Sequence, residues 1–247
     1  MKVYIQSYPD GMPHNHNFAS AWYGFQEMGW ETVAFSDYAQ IQDSRPEDVI
    51  VGYVGIVQHR LKDLGHVYPD LDYPEELQAF LGRKIWASTL NAVSCAPETW
   101  PVFVKSRLDK AFTGTVVQSP ADLVGGGLQG GDLEAWCSEV VDFVSEWRVY
   151  VRYGRILDMK RYRGDWRLMP DPAVVEQAVR EYAEGPAGYA ADFGVTADGR
   201  TLLIEINDGY ALGNYGLQEI LYAKLLSARW AELTETEDEC DFDRVYR

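Results

Sequence analysis

The sequence has no apolar run approaching the roughly 20 residues that a membrane-spanning helix needs, and its first residues do not read as a secretory leader. Its three cysteines, Cys95, Cys137 and Cys240, are odd in number, far apart and without a Cys-x-x-Cys pair. That excludes a disulfide framework and a thiolate zinc site, and predicts a reducing, cytoplasmic setting. Cations are scarce too: 22 Lys and Arg stand against 38 Asp and Glu, a formal net charge of −16 at pH 7. So acidic a chain is a poor non-specific binder of nucleic acid or of an anionic membrane. The glycine-rich stretch Val124 to Gly131 lacks the Gly-Lys-Ser/Thr ending of a P-loop and the spacing of a dinucleotide fingerprint. It reads as a flexible connection between lobes.

What is present is an ordinary globular balance, 47% hydrophobic and 24% charged over 247 residues. The first third alternates strands and helices. Strands are expected at Val3–Ile5, Thr32–Phe35 and Asp48–Val51, and helices at Phe18–Met28 and Ile56–Leu64. That spacing predicts a small parallel sheet within a leading lobe, residues 1–90. A short helix follows from Pro74 to Leu81, and a strand at Val102–Lys105 belongs to a second lobe, 91–133. A third region, 134–234, reads as a strand meander, a helix from Pro172 to Glu184, a hairpin, and a helix over about Leu217 to Leu233. Residues 235–247 read as a loosely held charged tail. His14 and His16 alternate with asparagines ahead of a helix, which suits capping better than metal ligation.

Chemistry concentrates in the last hairpin. Asp198-Gly199 is a two-residue turn signal, and pairing Ala197 with Arg200 counts back to Asp192 directly opposite Glu205. Opposed residues share a face with β-carbons roughly 5 Å apart, and Asn207 lies two positions along the same face. Phe193, Ile204 and Ile206 fall on the other. Facing carboxylates in an apolar strand need a cation between them, and Mg²⁺ suits such oxygen donors. A proton-sharing acid pair is the competing arrangement, and it leaves Asn207 without a role. Upstream, Trp147 to Arg167 gathers seven basic residues (Arg148, Arg152, Arg155, Lys160, Arg161, Arg163, Arg167) against Asp158 and Asp165. A three-residue loop at Tyr153-Gly154-Arg155 would set Arg148 opposite Lys160; a two-residue loop would shift that pairing by one.

Asp192-Phe193-Gly194 followed by Leu203-Ile204-Glu205-Ile206-Asn207-Asp208-Gly209 resembles the terminal metal motif of the ATP-grasp superfamily. Glu146-Trp147-Arg148 and Lys160 are similar to a smaller clade marked by one arginine and two lysines. Phe103-Val104-Lys105 resembles the strand ending in a phosphate-contacting lysine, and Lys110 to Gly114 the loop beyond it. Ser138 to Phe143 resembles the hinge whose backbone reads adenine. The loop after Lys105 lacks the small glycines of larger members, and the chain is short for a ligase of this kind.

The resemblance implies an α/β protein with an ATP-grasp fold, two α+β lobes clamping ATP, preceded by the small parallel-sheet lobe. It implies that ATP is bound by Lys105, Lys110, Thr113, Gly114, Glu139, Val140, Val141 and Asp142. Asp192, Glu205 and Asn207 would hold Mg²⁺, and Arg148 and Lys160 would be catalytic. The implied reaction phosphorylates a carboxylate and couples it to an amine, each from a small molecule or a peptide. A kinase without amine coupling and a non-catalytic nucleotide-binding module are the alternatives, and a homodimer is one assembly left open. Tyr53, Gly55, His59, Asn214 and Tyr215 are candidates for the acceptor surface.

Overall fold

The computed structural model describes residues 1–107, 112–123 and 131–242. The chain divides into two compact units: residues 81–142, and residues 1–80 together with those from Phe143 onward.

In the larger unit, β1 (Lys2–Gln6), β2 (Glu31–Phe35) and β3 (Val49–Val51) form a parallel sheet in the order β2-β1-β3. Val49, Ile50 and Val51 are all buried, as a parallel strand covered on both faces requires. Helices α1 (His16–Glu27) and α2 (Val54–Asp63) follow β1 and β3. Asn15 caps α1, its side chain accepting from Phe18 N at 3.1 Å, while the His14 ring lies tilted between those of Tyr8 and Tyr53. The expected helix near Pro74 is a 3₁₀ turn, Glu75–Leu77, running into the single α-turn of α3 (Gln78–Leu81).

The smaller unit carries β4 (Ile85–Thr89), α4 (Leu90–Ser94), β5 (Val102–Ser106), β6 (Thr115–Val117) and β7 (Glu134–Ser138). Its antiparallel order is β4-β7-β5-β6. Because β7 is paired on both edges, to β4 and to β5, residues 134–138 share a sheet with Lys105, although the sequence opens its next lobe at 134. Val102, Val104, Ala135 and Cys137 face a core completed by Leu90 and Val93. Phe103, Lys105 and Trp136 line the opposite face. Residues 124–130 of the glycine-rich stretch lie outside the described residues.

The larger unit then adds β8 (Phe143–Arg152), β9 (Arg155–Gly164), α5 (Pro172–Glu181), β10 (Gly188–Thr196), β11 (Thr201–Asp208) and α6 (Glu219–Leu233). The strands form an antiparallel sheet, β11-β10-β8-β9. All nine residues of β10 are buried, since one face packs on Leu77 and on Ala178 and Val179 of α5, and part of the other enters the core around α6. That core joins the two sheets of this unit: Tyr150 and Ala190 meet Val3 and Ile5 through Tyr222, Leu225, Leu226 and Trp230.

The β10–β11 hairpin differs from expectation at its tip, β8–β9 takes the shorter of its two open loop lengths, and both agree with expectation at the site. The β10–β11 loop has three residues, Ala197 to Gly199, with Thr196 N bonded to Arg200 O at 3.0 Å; Ala197 does not pair with Arg200. The Thr196 hydroxyl accepts from Arg200 N at 3.0 Å, Asp198 pairs with Arg200 at 2.9 Å, and only Gly199 adopts positive φ, +83°. Ile204 is then an extra residue in β11, and this bulge restores Asp192 to a position opposite Glu205. It also turns Leu203, not Ile204, toward Phe193. In β8–β9 the loop has two residues, Tyr153 (φ +48°) and Gly154 (φ +67°), and not three. Leu157 is the extra residue there, and Arg148 again faces Lys160.

The segment after α6 is not loosely held as far as Phe242. Asp238 and Cys240 are buried. Asp238 takes a 2.6 Å ion pair from buried Arg152 and hydrogen bonds from Tyr153 and Ser227. A cation on a buried sheet face needs a counter-ion, and this segment supplies it.

Candidate functional site

One face of the β11-β10-β8-β9 sheet collects Glu146 and Arg148 from β8, Asp192 from β10, Glu205 and Asn207 from β11, and Lys160 from β9. Strand alternation puts them there, with the bulges at Ile204 and Leu157 resetting the register. At the centre, Arg148 grips Asp192 with two parallel bonds, Nε to Oδ1 at 2.8 Å and Nη2 to Oδ2 at 2.7 Å. Both residues are almost fully buried. Burial works against the Arg148 charge, but the field and hydrogen bonds of Asp192 outweigh it and hold its pKa above the ordinary value. Burial pushes the Asp192 carboxyl above the usual carboxylate range; Arg148 opposes that shift, and Glu205 and Glu146 add to it.

Asn207 bridges the two acids, its Nδ2 lying 3.2 Å from Asp192 Oδ2 and 3.3 Å from Glu205 Oε1. The same amide flipped presents Oδ1 instead. Asp192 has about four lone-pair directions and the arginine fork takes two of them. Two carboxylates and an amide oxygen therefore remain able to converge on a hard divalent cation, and the donor chemistry fits Mg²⁺. Among the described residues no group of three or more His, Cys, Asp or Glu side chains gathers as a metal cage, so His14 and His16 acquire no third ligand of that kind.

Lys160 is half-buried and pairs with Asp158 of its own strand at 2.7 Å. Elsewhere in the basic stretch, Arg163 pairs with Glu146 of the same face, while Arg152 pairs with Asp238 and Arg167 with Asp165. Sequence reasoning missed Tyr162 as a neighbour of the fork and offered Tyr215 only as an acceptor candidate. Tyr162 is an extra residue at a second bulge of β9, and its ring stacks on Tyr215 at 5.2 Å. The Arg148 guanidinium lies 5.9 Å and 5.0 Å from the two ring centres, within cation–π range. The glycine-flanked run Gly213-Asn214-Tyr215-Gly216 is the signal by which the sequence offers Tyr215. Asn214 itself is buried and committed to that turn, accepting from Gly216 N and donating to Leu217 O.

The smaller unit holds the other expected residues. Lys105 lies on β5 opposite Trp136, half-buried, and Thr113 and Gly114 lead into β6. Gly114 is packed so closely that a β-carbon would come within 2.7 Å of the Phe103 ring. Lys110 lies outside the described residues. Glu139 to Asp142 link β7 to β8; Lys84 N donates to the Glu139 carboxylate at 2.9 Å, and Glu139 N donates to Lys84 O at 3.1 Å.

The family profile described as ATP-grasp domain, R2K clade family 2, matches residues 80–225. A sequence search of curated proteins finds no match. Among solved structures, the ATP-grasp ligase PsnB complexed with precursor peptide PsnA2 and AMPPNP is similar, with TM-score 0.53 and 14% identity over 94% of this chain and 96% of that one. N5-carboxyaminoimidazole synthetase from Staphylococcus aureus gives TM-score 0.61 at 13% identity over 96% and 77% of the chains. D-alanine–D-alanine ligase from Bacillus anthracis gives 0.57 at 12% over 95% and 98%. The fold expected from the motifs is the fold found.

Proposed function

This chain belongs to the ATP-grasp domain family, R2K clade family 2, and on that premise we propose that it is an ATP-dependent ligase joining a carboxylate to an amine. The observation that carries the reading is the sheet face on which buried Arg148 and Asp192 are linked through Asn207 to half-buried Glu205. A binding module has no need of a forked arginine and its carboxylate in a desolvated place with a second acid opposed to them, because the buried charges cost free energy.

In this reading the γ-phosphoryl group of ATP passes to a substrate carboxylate oxygen. The bond to the bridging β–γ oxygen breaks, and ADP leaves. The amine then attacks the acyl carbon, the C–N bond forms, and inorganic phosphate departs. Phosphoryl transfer asks the protein for alignment and charge neutralisation rather than covalent chemistry. Lys105 and Lys110 contact phosphates, with Thr113 and Gly114 in the covering loop, and residues 139–142 read the base, with Asp142 the candidate for a ribose hydroxyl contact. Arg148 and Lys160 neutralise the moving group. Asp192, Glu205 and Asn207 are the residues that would hold Mg²⁺, which when bound would screen the phosphate charge. The acceptors are small molecules or peptides; PsnB, complexed with a precursor peptide, has this fold.

ADP release with pools of acids and amines, against a Glu205→Ala control, tests the proposal. Release that requires both an acid and an amine, and that falls at least about 100-fold in the control, supports a ligase. A phosphorylated product accumulating without amine supports a kinase. Binding of ATP with no release above the control sinks the enzyme reading.

A further inference from the structure

The geometry points to Tyr215, stacked on Tyr162, as the positioning residue that clamps the Arg148 guanidinium in its working orientation; this inference rests on the ligase reading above. Four separate observations converge on it. Tyr215 adopts φ +47°, in the left-handed region that a bulky side chain rarely enters. Its φ belongs to a tight turn in which Gly216 follows at φ +89° and Leu217 N donates to Asn214 O at 2.9 Å; unlike the Tyr153-Gly154 turn, this one joins no pair of strands. Backbone held in this region persists where the surroundings over-determine it, and such residues cluster at functional sites.

The surroundings do over-determine it. Asn214 N donates to Asn17 Oδ1 at 2.9 Å, and its side chain closes the turn onto Gly216 N and Leu217 O. Tyr150, which shares the β8 face with Arg148, donates its hydroxyl to Gly213 O at 2.8 Å and to Asn214 O. Gly213 completes the seat: a β-carbon there would stand 3.2 Å from the Tyr215 ring. The loop is thus tied to the strand that carries Arg148 and shaped to admit one aromatic ring.

Burial of Tyr215 does not explain this arrangement, because the residue remains 49% exposed. What the ring does is cover the guanidinium. Arg148 has spent Nε and one Nη2 proton on Asp192, and with rings beside it the fork resists rotation, leaving its remaining donors with a fixed direction. Tyr162 stacks on Tyr215 and stands beside the guanidinium itself, 5.9 Å from it. Burial raises its hydroxyl pKa, and so do the nearby Asp192 and Glu146 charges, the latter hydrogen-bonded to it. A transferring group is stabilised by a donor aimed in advance, so losing the clamp lowers kcat more than it raises the KM for ATP.

The experiment compares the full chain with Tyr215→Gly and Tyr215→Phe, by steady-state kinetics and by solvent exchange of the Arg148 Nε proton in NMR, assigned with Arg148→Lys. Glycine accepts the positive φ, so folding is retained and Tm is unchanged or raised. We expect kcat of Tyr215→Gly to fall about 10- to 100-fold with KM for ATP within about twofold. Tyr215→Phe should recover most of the rate, since the ring and not the hydroxyl acts. The Arg148 proton should exchange slowly in the wild type and Tyr215→Phe, and fast in Tyr215→Gly. Wild-type kcat in Tyr215→Gly, a Tyr215→Phe as slow as Tyr215→Gly, or unchanged protection overturns the clamp. If the wild type shows no turnover while proton protection still depends on the ring, the ligase reading fails and the clamp stands. Should Tyr215→Gly fail to fold, Tyr215→Asn, which also tolerates this backbone and lacks the ring, carries the same comparison.

Discussion

Arg148 and Asp192 show how a buried ion pair constrains both its members. Neither side chain has water to fall back on. Asp192→Ala would leave the guanidinium desolvated and uncompensated, and the expected loss is about 3–5 kcal/mol, measurable by urea unfolding. Replacing the pair together, Arg148→Met with Asp192→Leu, should cost less than the single change, because it leaves no stranded charge. Glu205 differs: it is only half-buried, so Glu205→Ala acts on turnover more than on folding. These carboxylates and their arginine are legible in the sequence, because strand alternation sorts residues by face without knowledge of anything distant. The Tyr162–Tyr215 stack is not legible in that way. It joins positions 53 apart through a bulge and a strained turn, and neither feature follows from periodicity. The Arg152–Asp238 pair escapes for the same reason.

Among the elements, helix packing reverses what local propensity favours. Gly24 occupies the middle of α1, where alanine is better by about 1 kcal/mol in an isolated helix. Yet a β-carbon at Gly24 would stand 2.0 Å from the carbonyl oxygen of Glu219, the first residue of α6. Gly24→Ala must push α1 off α6, and it is expected to destabilise by about 1–3 kcal/mol despite the better propensity. Thermal or urea unfolding reads the sign directly. Strands and helices of the leading sheet fall close to where pattern puts them, since each is a run of one period with clear stops. Hairpin tips are a different matter. Asp198-Gly199 suggests a two-residue turn, but the Thr196 hydroxyl and the Asp198–Arg200 pair close a three-residue loop. A side-chain network of that kind competes with turn statistics and here prevails.

For the whole molecule, buried titratable groups set how stability responds to pH. Cys240 is fully buried, and burial pushes its thiol from 9.0 up to about 12. Burial likewise raises Tyr182 from 10.0 to about 12, aided by Glu76 and opposed by Arg229. A folded pKa above the unfolded one means that stability is complete below pH 9 and is lost as pH climbs from about 9 to 12. The slope is at most about 1.4 kcal/mol per pH unit for each group. Unfolding free energy measured across this range should fall, and Cys240→Ala should flatten the thiol's share while leaving the tyrosine's. The acidic excess, −16 at pH 7, is shared by the folded chain as self-repulsion that salt screens.

The two bulges give the hairpins slack. At Ile204 and at Leu157 an extra residue stands between the tip and the face that the hairpin serves. A change of one residue at a tip would otherwise travel along the ladder and turn every side chain to the wrong side. Here it can be absorbed before it reaches Glu205 or Lys160. A tip can therefore differ by one residue from the register its site requires, while the acids and cations keep their partners. What the strands conserve is a constellation, and the ladder leading to it is adjustable.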